Sequence, residues 1–231
     1  MTKEDNAVLR GDIKGIVFDL DGTLADTSPD IVAALNAALR EVGHVALPLA
    51  EVTTMIGGGI PTLVARAIER VGASGSLQGI LVERMFYHYA RGFCVNSQLM
   101  VGVADCLFAL QHLGLPMAVC TNKDQIIAEK IIWTLGIEHY FTAMVGRQPE
   151  VPKKPDPAML RLAVERIGCT ADTVVMVGDS DVDAATARAA GTPSVIVRNG
   201  YFSGDYESLC TDFLIDDMTG FMLLIPTLTR V

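Results

Sequence analysis

Positive charge is scarce in this sequence. Its 231 residues include 18 lysines and arginines against 27 aspartates and glutamates, which gives a formal net charge of -9 at pH 7. Nucleic-acid backbones and anionic membrane surfaces are bound by basic faces, so this balance argues against a nucleic-acid or a membrane partner. An anionic substrate would need a local source of positive charge, such as a metal ion, a lysine or a helix N-terminus.

Paired cysteines and metal-binding histidine motifs are also missing. The five cysteines are far apart and form no Cys-x-x-Cys pair, which is typical of free thiols in a reducing compartment and predicts a cytoplasmic protein. The four histidines are scattered and no His-Glu-x-x-His sequence occurs. Each histidine is therefore interpreted as a surface or packing residue.

No hydrophobic stretch is long enough to cross a membrane. The best candidate, FMLLIPTL at residues 221–228, is too short and contains Pro226. Residues 1–12 have no apolar run of the kind found in signal peptides. The sequence therefore predicts neither a membrane anchor nor secretion.

The sequence is rich instead in short apolar runs separated by helix-like segments. The runs are continuous, as in parallel strands that are covered on both faces. They occupy residues 13–20, 116–120, 143–146, 173–177, 194–197 and 213–215. Helical spacing that stops at a glycine occurs between them, over residues 103–113, 123–135, 157–167 and 181–190. This alternation predicts an α/β fold with a doubly wound, Rossmann-like parallel sheet.

One long insertion breaks this alternation after the first run. About ninety residues separate the first run from the second, where a crossover needs only about a dozen. Helical patterns without a convincing strand fill this segment, over residues 29–42, 49–55, 61–71 and 77–90. We therefore predict an inserted helical unit, residues 28–95, within an α/β core formed by residues 1–27 and 96–231.

An acidic pair interrupts the first apolar run. In the sequence GIVFDLDGTLADT, Asp19 follows the apolar residues directly and Asp21 comes two residues later. Residues two apart in a strand point to the same side, and open α/β sheets bind ligands at the carboxyl ends of their strands. Gly22 permits a sharp turn, and Thr23 offers a hydroxyl and an N–H. A helix cap and a solvated turn would explain one acid of the pair, but they do not explain Asp19.

A second acidic cluster follows the fourth apolar run. In the sequence VVMVGDSDVDAA, the strand is followed by Asp179, Asp181 and Asp183. Capping of the next helix accounts for Ser180 or Asp181, but not for a second strand that ends in an aspartate. Two acidic strand ends on one sheet edge repel each other. Oxygen ligands grouped in this way suit a hard cation, above all Mg²⁺.

Side chains suited to binding phosphate follow two other segments. The second run closes in Thr121 and Asn122, whose hydroxyl and amide can bind phosphoryl oxygens. In the sequence VPKKPDPAML, Lys154 precedes a Pro-x-Pro that stiffens the loop, which makes it a candidate phosphate clamp. For either lysine taken alone, a solvated surface position is the better interpretation, and we keep that interpretation for Lys153.

Four pieces of sequence, in this order, resemble the motifs of the haloacid dehalogenase-like superfamily in its phosphatase branch: DLDGTLAD, CTNK, KKPDP and GDSDVD. The resemblance runs from Gly15 to about Tyr201, and the helical insertion is similar to the cap domain of that superfamily. MIGGGIPTLVARA, LMVGVADCLFAL, MAVCTNK and VIVRNGY look more closely like the phosphoglycolate phosphatase subgroup. Gln148 departs from the pattern, because relatives often carry an acid there, and this affects the contacts expected near the Lys154 loop.

The resemblance implies a Mg²⁺-dependent phosphatase and a role for each acidic motif residue. Asp19 would be the nucleophile and form an aspartyl-phosphate. Asp21 would be the general acid and base, and its backbone carbonyl would bind Mg²⁺. Asp179 would be the third metal ligand from the protein, with Asp183 in an orienting role beside it.

The implied substrate is a small phosphate monoester, most closely 2-phosphoglycolate, which is hydrolysed to glycolate and phosphate. Thr121 and Lys154 would hold the phosphoryl group. Thr23 and Asn122 are further candidates for contacts with it. The enzyme would work as a monomer or a homodimer.

A glycine-rich segment of the insertion is the candidate for choosing the leaving group. Gly57, Gly58 and Gly59 precede a helix expected to start near Pro61. Their bare N–H groups and the helix dipole suit a small carboxylate. Arg66 on that helix could add charge, although a solvated face is the more ordinary interpretation. A plain flexible loop is an equal alternative for the glycines.

Several other functions fit parts of the sequence. A pyrophosphatase, a nucleotidase or a sugar-phosphate phosphatase or mutase on the same scaffold would share the core and differ in the cap. A dehalogenase needs the first aspartate but no metal, and a non-catalytic binding module would not need every catalytic residue to be present. A dinucleotide-dependent dehydrogenase would need Gly-x-Gly-x-x-Gly after the first strand, and none occurs there.

Overall fold

A six-stranded parallel sheet forms the centre of the fold. The computed structural model describes residues 12–229. In chain order the strands are β1 (Gly15–Phe18), β2 (Ala25–Asp26), β3 (Gln98–Leu99), β4 (Met117–Asp124), β5 (Ala143–Arg147), β6 (Val174–Gly178), β7 (Ser194–Val197) and β8 (Phe213–Ile215). The sheet order is β5-β4-β1-β6-β7-β8 and every neighbouring pair is parallel, whereas β2 and β3 form a separate antiparallel ribbon.

Helices connect the strands. In chain order the α-helices of the described residues are α1 (Ser28–Glu41), α2 (Leu49–Thr53), α3 (Ile60–Val71), α4 (Gln78–Arg91), α5 (Val103–His112), α6 (Gln125–Thr134), α7 (Ala158–Arg166), α8 (Asp181–Ala190) and α9 (Met218–Thr229). Each of the six apolar runs contributes a strand of the main sheet, so the predicted doubly wound α/β fold is confirmed. Across residues 12–229, every helix is too short or too polar to span a bilayer.

Strand β1 lies in the middle of the sheet, which explains its continuous apolar character. Its residues are all buried, and Val17 pairs with Ala118 of β4 on one side and Met176 of β6 on the other. The carboxyl ends of β1, β4 and β6 are therefore neighbours at one edge of the sheet. Polar residues that follow these three strands are brought together there.

Helices cover both faces of the sheet. Alternate residues of β1 point to opposite faces, so Ile16 and Phe18 pack with α5, α6 and α9, whereas Val17 packs with α7 and α8. The ring of Phe18 meets that of Phe221, on α9, edge to face at 6.2 Å between centroids. The sheet is thus buried on both faces, as its apolar strands predicted.

The insertion after β1 consists of α1–α4, which we call the cap, and the rest of the described chain is the core. Helix α1 packs against α2 and α4, and α3 packs against α4. Strands β2 and β3 lie on either side of the cap in the chain and pair with each other, Ala25 with Leu99. The proposed domain boundaries, residues 28 and 95, lie next to this ribbon, and residues 1–11 and 230–231 of the proposed core are outside the described residues.

Three elements differ from the sequence prediction. The β2–β3 ribbon was not predicted, because two-residue strands leave no periodicity to detect. Helix α6 begins at Gln125 instead of residue 123, since β4 continues to Asp124, whose side chain accepts hydrogen bonds from the N–H groups of Ile126 and Ile127. Helix α9 was not predicted either. Its apolar residues pack against the core despite Pro226.

Candidate active site

Three buried carboxylates meet at the carboxyl ends of β1 and β6. Asp19 follows β1, Asp179 follows β6, and Asp183 lies in the first turn of α8. One oxygen of each lies within 4.8 Å of the others, and the three residues are 7%, 3% and 0% exposed. The predicted acidic edge of the sheet is present, and Asp183 belongs to the cluster together with the other two.

Asp183 is held rigidly by the turn between β6 and α8. Its Oδ2 accepts hydrogen bonds from the N–H of Ser180 at 3.2 Å, from the Ser180 hydroxyl at 2.6 Å and from the N–H of Asp179 at 3.3 Å. A side chain on Gly178 would collide with it, because an added Cβ would lie 2.3 Å from the Cβ of Asp183. The glycine therefore lets the chain pass close to this carboxylate. The carboxylate in turn holds the backbone N–H of Asp179 in place.

Lys154 supplies positive charge inside the acidic cluster. The residue is 2% exposed, and its Nζ lies 2.6 Å from Oδ1 of Asp183 and 3.0 Å from Oδ1 of Asp19. Burial alone would lower the pKa of Lys154, but the two carboxylates outweigh it and raise that pKa above its usual range. The lysine is therefore charged. It is buried, in contrast to the surface position that is more ordinary for a lone lysine.

The surroundings of the cluster disfavour the ionised form of its carboxyl groups. Burial raises the pKa of Asp19 to about 6, with Lys154 opposing the shift and the neighbouring acids Asp183 and Asp21 adding to it. Burial, followed by repulsion from Asp183 and Asp19, also raises the pKa of Asp179 well above its ordinary value. One lysine does not neutralise three buried carboxylates, so the cluster favours a further cation.

The cluster fits a divalent metal ion. Oδ1 of Asp19 is buried, and no hydrogen-bond donor within residues 12–229 serves it. Lys154 lies close enough for an ion pair, but its Nζ approaches at an angle unsuited to a hydrogen bond. A buried carboxylate oxygen without a donor, beside two further carboxylates, matches the oxygen ligands that hard cations prefer.

Asp21 faces a different part of the site from the buried cluster. Its Oδ1 accepts hydrogen bonds from the Thr27 hydroxyl at 2.5 Å and from Nζ of Lys123 at 2.7 Å. The Lys123 side chain is 6% exposed and its Nζ lies 4.8 Å from the ring centroid of Tyr89, on the cap helix α4. Lys123 was not singled out from the sequence, although it ends the CTNK motif directly after the predicted phosphate-binding pair.

The two threonines of the predicted site are both buried. The hydroxyl of Thr23 lies 3.4 Å from Oδ1 of Asp179 and donates to it, so it supports a carboxylate of the cluster. The hydroxyl of Thr121 accepts a hydrogen bond from the N–H of Lys123 at 3.3 Å and lines a pocket together with Asp19. Of the two threonines, Thr121 is therefore the one that lines the pocket above Asp19.

The glycine-rich loop of the cap lies directly over the ends of β1 and β4. Its residues Gly57 and Gly59 line the pocket above Asp19, which encloses about 560 Å³ of empty space, part of it open to solvent. The amide of Asn122 donates hydrogen bonds to the carbonyl of Gly57 at 3.1 Å and to that of Lys154 at 3.0 Å. Asn122 thus connects the cap to the lysine loop, and both of its N–H bonds are used in doing so.

Lys153 and Arg66, the two other cations discussed in the sequence analysis, bind the glycine loop and the segment before it from outside the pocket. Lys153 is exposed, as predicted, but its Nζ donates to the carbonyl of Gly58 at 2.9 Å and so joins the core to the cap. Arg66 is exposed as well, and its Nη1 donates to the carbonyl of Met55 at 2.8 Å. Arg66 lines a second groove, which includes Gly58 and Asp179 and lies beside the pocket above Asp19.

Tyr201 connects the acidic cluster to the chain segment that leads into the cap. Its backbone N–H donates to Oδ2 of Asp179 at 2.6 Å. Its hydroxyl donates to Oδ1 of Asp26 at 2.8 Å and accepts hydrogen bonds from the N–H groups of Thr27 at 2.7 Å and Ser28 at 2.9 Å. The sequence analysis did not identify this residue, because the partners of its hydroxyl lie more than 170 positions away.

Replacing Tyr201 by Phe is expected to lower the free energy of unfolding by about 1–3 kcal/mol, since the N–H of Thr27 loses its acceptor and Asp26 loses a donor, whereas the N–H of Ser28 keeps Oδ1 of Asp26 at 3.1 Å. The contact with Asp179 stays, because the backbone makes it. Urea unfolding measures the loss. Tyr206→Phe is the matched control, because its hydroxyl meets the carbonyls of Arg198 and Phe202 away from the cap. Equal losses in both variants would contradict a special role for the Tyr201 hydroxyl.

Gln148, noted in the sequence analysis as a departure from the motif pattern, lies in the loop before Lys154. Its Nε2 donates to Oε1 of Gln125 at 3.1 Å, and the N–H of Gly146 donates to the same oxygen at 2.5 Å. An added Cβ at Gly146 would lie 2.6 Å from the Cα of Gln125, so glycine allows this close approach. A neutral amide pair therefore joins the end of β5 to the start of α6 at the position where the motif resemblance implied an acid.

Comparison with known proteins agrees with the four motifs. The sequence model of a family described as haloacid dehalogenase-like hydrolase matches residues 13–191. A phosphoglycolate phosphatase of Cereibacter sphaeroides is 40% identical over 189 residues, which cover 81% of this chain and 86% of that protein. A protein of Cupriavidus necator named phosphoglycolate phosphatase, plasmid, is 37% identical over 212 residues, or 91% of this chain and 92% of its own.

The same relationship is visible in the fold. The crystal structure of a predicted phosphoglycolate phosphatase from Haemophilus somnus matches this chain with a TM-score of 0.86 at 29% identity, over 93% of this chain and 99% of that one. Sequence and fold thus agree over nearly the whole length, and the resemblance identified from the motifs is confirmed. The chain belongs to the haloacid dehalogenase-like hydrolase family, in which it is a phosphoric monoester hydrolase.

Proposed function

We propose that this protein is a Mg²⁺-dependent phosphatase that hydrolyses 2-phosphoglycolate to glycolate and phosphate through an aspartyl-phosphate on Asp19. The observation that carries the proposal is the position of Asp19. Its carboxylate lies at the end of the central strand, buried beside two further carboxylates and Lys154, with one oxygen free of hydrogen-bond donors in the described chain. The choice of 2-phosphoglycolate as the substrate rests on the names of the two sequence relatives.

The carboxylates of Asp19 and Asp179 and the backbone carbonyl of Asp21 would hold the metal ion, and Asp183 would orient them. When bound, Mg²⁺ neutralises the carboxylates and the phosphoryl oxygens, so that an anionic substrate can approach an anionic nucleophile. The rigid turn around Asp183 and the hydrogen bond from Tyr201 to Asp179 prepare these ligands before the ion arrives.

The protein's own side chains carry out the two chemical steps. A carboxylate oxygen of Asp19 attacks phosphorus, the bond from phosphorus to the ester oxygen breaks, and Asp21 donates a proton to the departing alcohol. Asp21, now a carboxylate, then removes a proton from a water molecule that attacks the same phosphorus. The acyl phosphate bond breaks, which releases phosphate and restores Asp19. Lys154 and Thr121 hold the phosphoryl oxygens during both steps.

The cap chooses the leaving group and excludes water, since the core residues handle only the phosphoryl group. The N–H groups of Gly57, Gly58 and Gly59 at the start of α3 would contact a small carboxylate from the cap side, whereas Arg66 is held outside the pocket by the Met55 carbonyl. Their loop already rests on Asn122, and an added Cβ at Gly59 would lie 3.3 Å from the Asn122 carbonyl oxygen. A lid seated this closely protects an acyl phosphate from bulk water.

Phosphate release from a panel of esters tests the proposal. The panel contains 2-phosphoglycolate, p-nitrophenyl phosphate, a nucleoside monophosphate, a hexose phosphate and pyrophosphate. We expect the highest kcat/KM for 2-phosphoglycolate, no turnover in EDTA, full recovery with Mg²⁺ and little with Ca²⁺, whose looser coordination misplaces the nucleophile. Turnover in chelator would contradict the metal requirement, and a preference for another ester would contradict the substrate.

A further inference from the structure

Lys123 is a buried cation for which the proposed chemistry has no use. It lies near the end of β4, its side chain is 6% exposed, and it lines the pocket above Asp19 and Asp21. Lys154 already serves the carboxylates of the cluster. A second buried lysine carries a large desolvation cost, so its contacts indicate what it binds.

The first contact of Lys123 is with the residue that handles the leaving group. Its Nζ lies 2.7 Å from Oδ1 and 3.0 Å from Oδ2 of Asp21. In the proposed reaction Asp21 exchanges a proton with the ester oxygen that departs, so that oxygen must lie against Asp21. Any charged group next to the ester oxygen is then held close to Lys123.

The shape of 2-phosphoglycolate matches this arrangement. Its carboxylate is separated from the ester oxygen by a single methylene, so standard bond lengths put the ester oxygen and the carboxylate oxygens about 3 Å apart. The separation between Asp21 and Nζ of Lys123 is of the same size. A leaving oxygen in contact with Asp21 therefore brings the substrate carboxylate within reach of the ammonium group.

The rest of the pocket gives that contact its strength. The walls around Lys123 are largely apolar side chains, including Ile60, Leu63, Phe86 and Tyr89. Charge pairs are stronger in such surroundings than in water. The pocket's other cation, Arg147, has a side chain that is 33% exposed and pairs with Asp124 at 3.7 Å, so among the described residues lining the pocket Lys123 is the better-buried positive group.

We propose that Lys123 is the residue that recognises the carboxylate of the substrate, and so determines the specificity for 2-phosphoglycolate. This inference rests on the function proposed above. The positive charge that binds the substrate carboxylate then comes from the core, and the glycine loop of the cap closes over the bound molecule. On substrate binding the ammonium group moves from Asp21 alone to a position shared between Asp21 and the substrate carboxylate.

Lys123→Met tests the inference with two substrates that differ only in the recognised group. 2-Phosphoglycolate carries the carboxylate, and 2-hydroxyethyl phosphate carries a hydroxymethyl group in its place. We expect kcat/KM for 2-phosphoglycolate to fall about 100-fold or more, because a buried charge pair is lost, and that for 2-hydroxyethyl phosphate to fall about tenfold at most. The matched control is Arg147→Met, which removes the more exposed cation of the pocket and should change the ratio of the two values little.

The two substrates separate recognition from a purely structural role. Removing Lys123 also changes the surroundings of Asp21, but both leaving groups need the same proton, so that effect lowers both values of kcat/KM equally. Parallel losses in Lys123→Met would overturn the inference and leave the proposed function intact. A wild-type enzyme that does not prefer 2-phosphoglycolate to 2-hydroxyethyl phosphate would overturn the proposed substrate, and the inference with it.

Lys123→Gln covers the case in which the methionine variant does not fold. Glutamine is neutral and can still donate a hydrogen bond to Asp21, so it supports that carboxylate without carrying charge. The preference for 2-phosphoglycolate is expected to be lost in this variant too. An unchanged preference in a folded Lys123→Gln protein would overturn the inference.

Discussion

Asp19→Asn is expected to reduce kcat by a factor of about 10⁴ or more, the scale found when an enzyme loses its nucleophile. The amide has almost the same shape as the carboxylate, so it can occupy the same place at the end of β1, but it cannot form the acyl phosphate. Steady-state phosphate release with 2-phosphoglycolate measures the loss. Residual turnover near the wild-type rate would remove Asp19 from the nucleophile role.

The same variant is expected to keep or increase the stability of the metal-free protein. The pKa of Asp19 is raised to about 6 in the folded state, above its ordinary value. The metal-free wild type should therefore lose stability as the pH rises from about 4 through 6, because the folded state then has to ionise a buried group. Asn does not titrate, so this loss should be smaller in the variant. Thermal unfolding at several pH values, with and without Mg²⁺, provides the comparison.

Asp181→Asn is the matched control for Asp19→Asn. Asp181 follows the same strand end as Asp179 but is exposed. The chemical change is identical, so a general effect of lost negative charge at this edge of the sheet would appear in both proteins. We expect near wild-type kcat for Asp181→Asn. A large loss of activity in the control would show that charge at this edge, and not the nucleophile, governs turnover.

Lys154→Met is expected to produce the largest loss of stability, about 3–5 kcal/mol, as found when one partner of a buried ion pair is removed. Methionine fills a similar volume but leaves Asp183 and Asp19 without the cation that lies 2.6 Å and 3.0 Å from them. Activity should also be lost, because the same ammonium group would hold the phosphoryl oxygens. Chemical denaturation in EDTA measures the stability, since a bound metal would hide part of the effect.

Two further variants show whether the lost ion pairs cause the effect of Lys154→Met. Lys153→Met makes the same change at the neighbouring exposed residue, whose contacts are with Gly58 and Thr62 of the cap. We expect it to change the stability by about 0.5 kcal/mol or less. Adding Asp183→Asn to Lys154→Met should restore part of the lost stability, because it removes one uncompensated charge. If the double variant is less stable than Lys154→Met, the loss arises from packing.

Much of the fold could be predicted from the sequence, because it depends on local patterns. The apolar runs around Val17 and Val175 are continuous because their strands are covered on both faces of the sheet, and an aspartate directly follows each strand. Helix α8 matches its predicted limits, since Ser180 caps its start and Gly191 ends it with a φ of 73°. Signals of this kind depend only on residues that are neighbours in the chain. They can therefore be read from the sequence without knowledge of the tertiary structure.

The acidic cluster was predictable for a related reason. In a parallel sheet every strand runs the same way, so residues that follow two strands meet at one edge whatever the details of packing. Asp19 and Asp179 therefore came together as expected. The close position of Asp183 also follows from the chain, because one turn of helix α8 separates it from the strand end.

The contacts between distant parts of the chain were decided by the tertiary structure alone. Lys123 meets Asp21 across 102 positions, Lys153 reaches Gly58 across 95, and Tyr201 binds Thr27 across 174. Lys123 and Lys153 belong to quoted motifs, but the local sequence does not indicate which partner each residue meets, since a lysine or tyrosine at such a position is ordinary on a surface. The sequence by itself determined which residues end the strands, and hence the acidic site. The position of Lys123 between Asp21 and the ring of Tyr89 depends on how the cap packs over β4, because a contact between distant residues is set by the packing of whole elements.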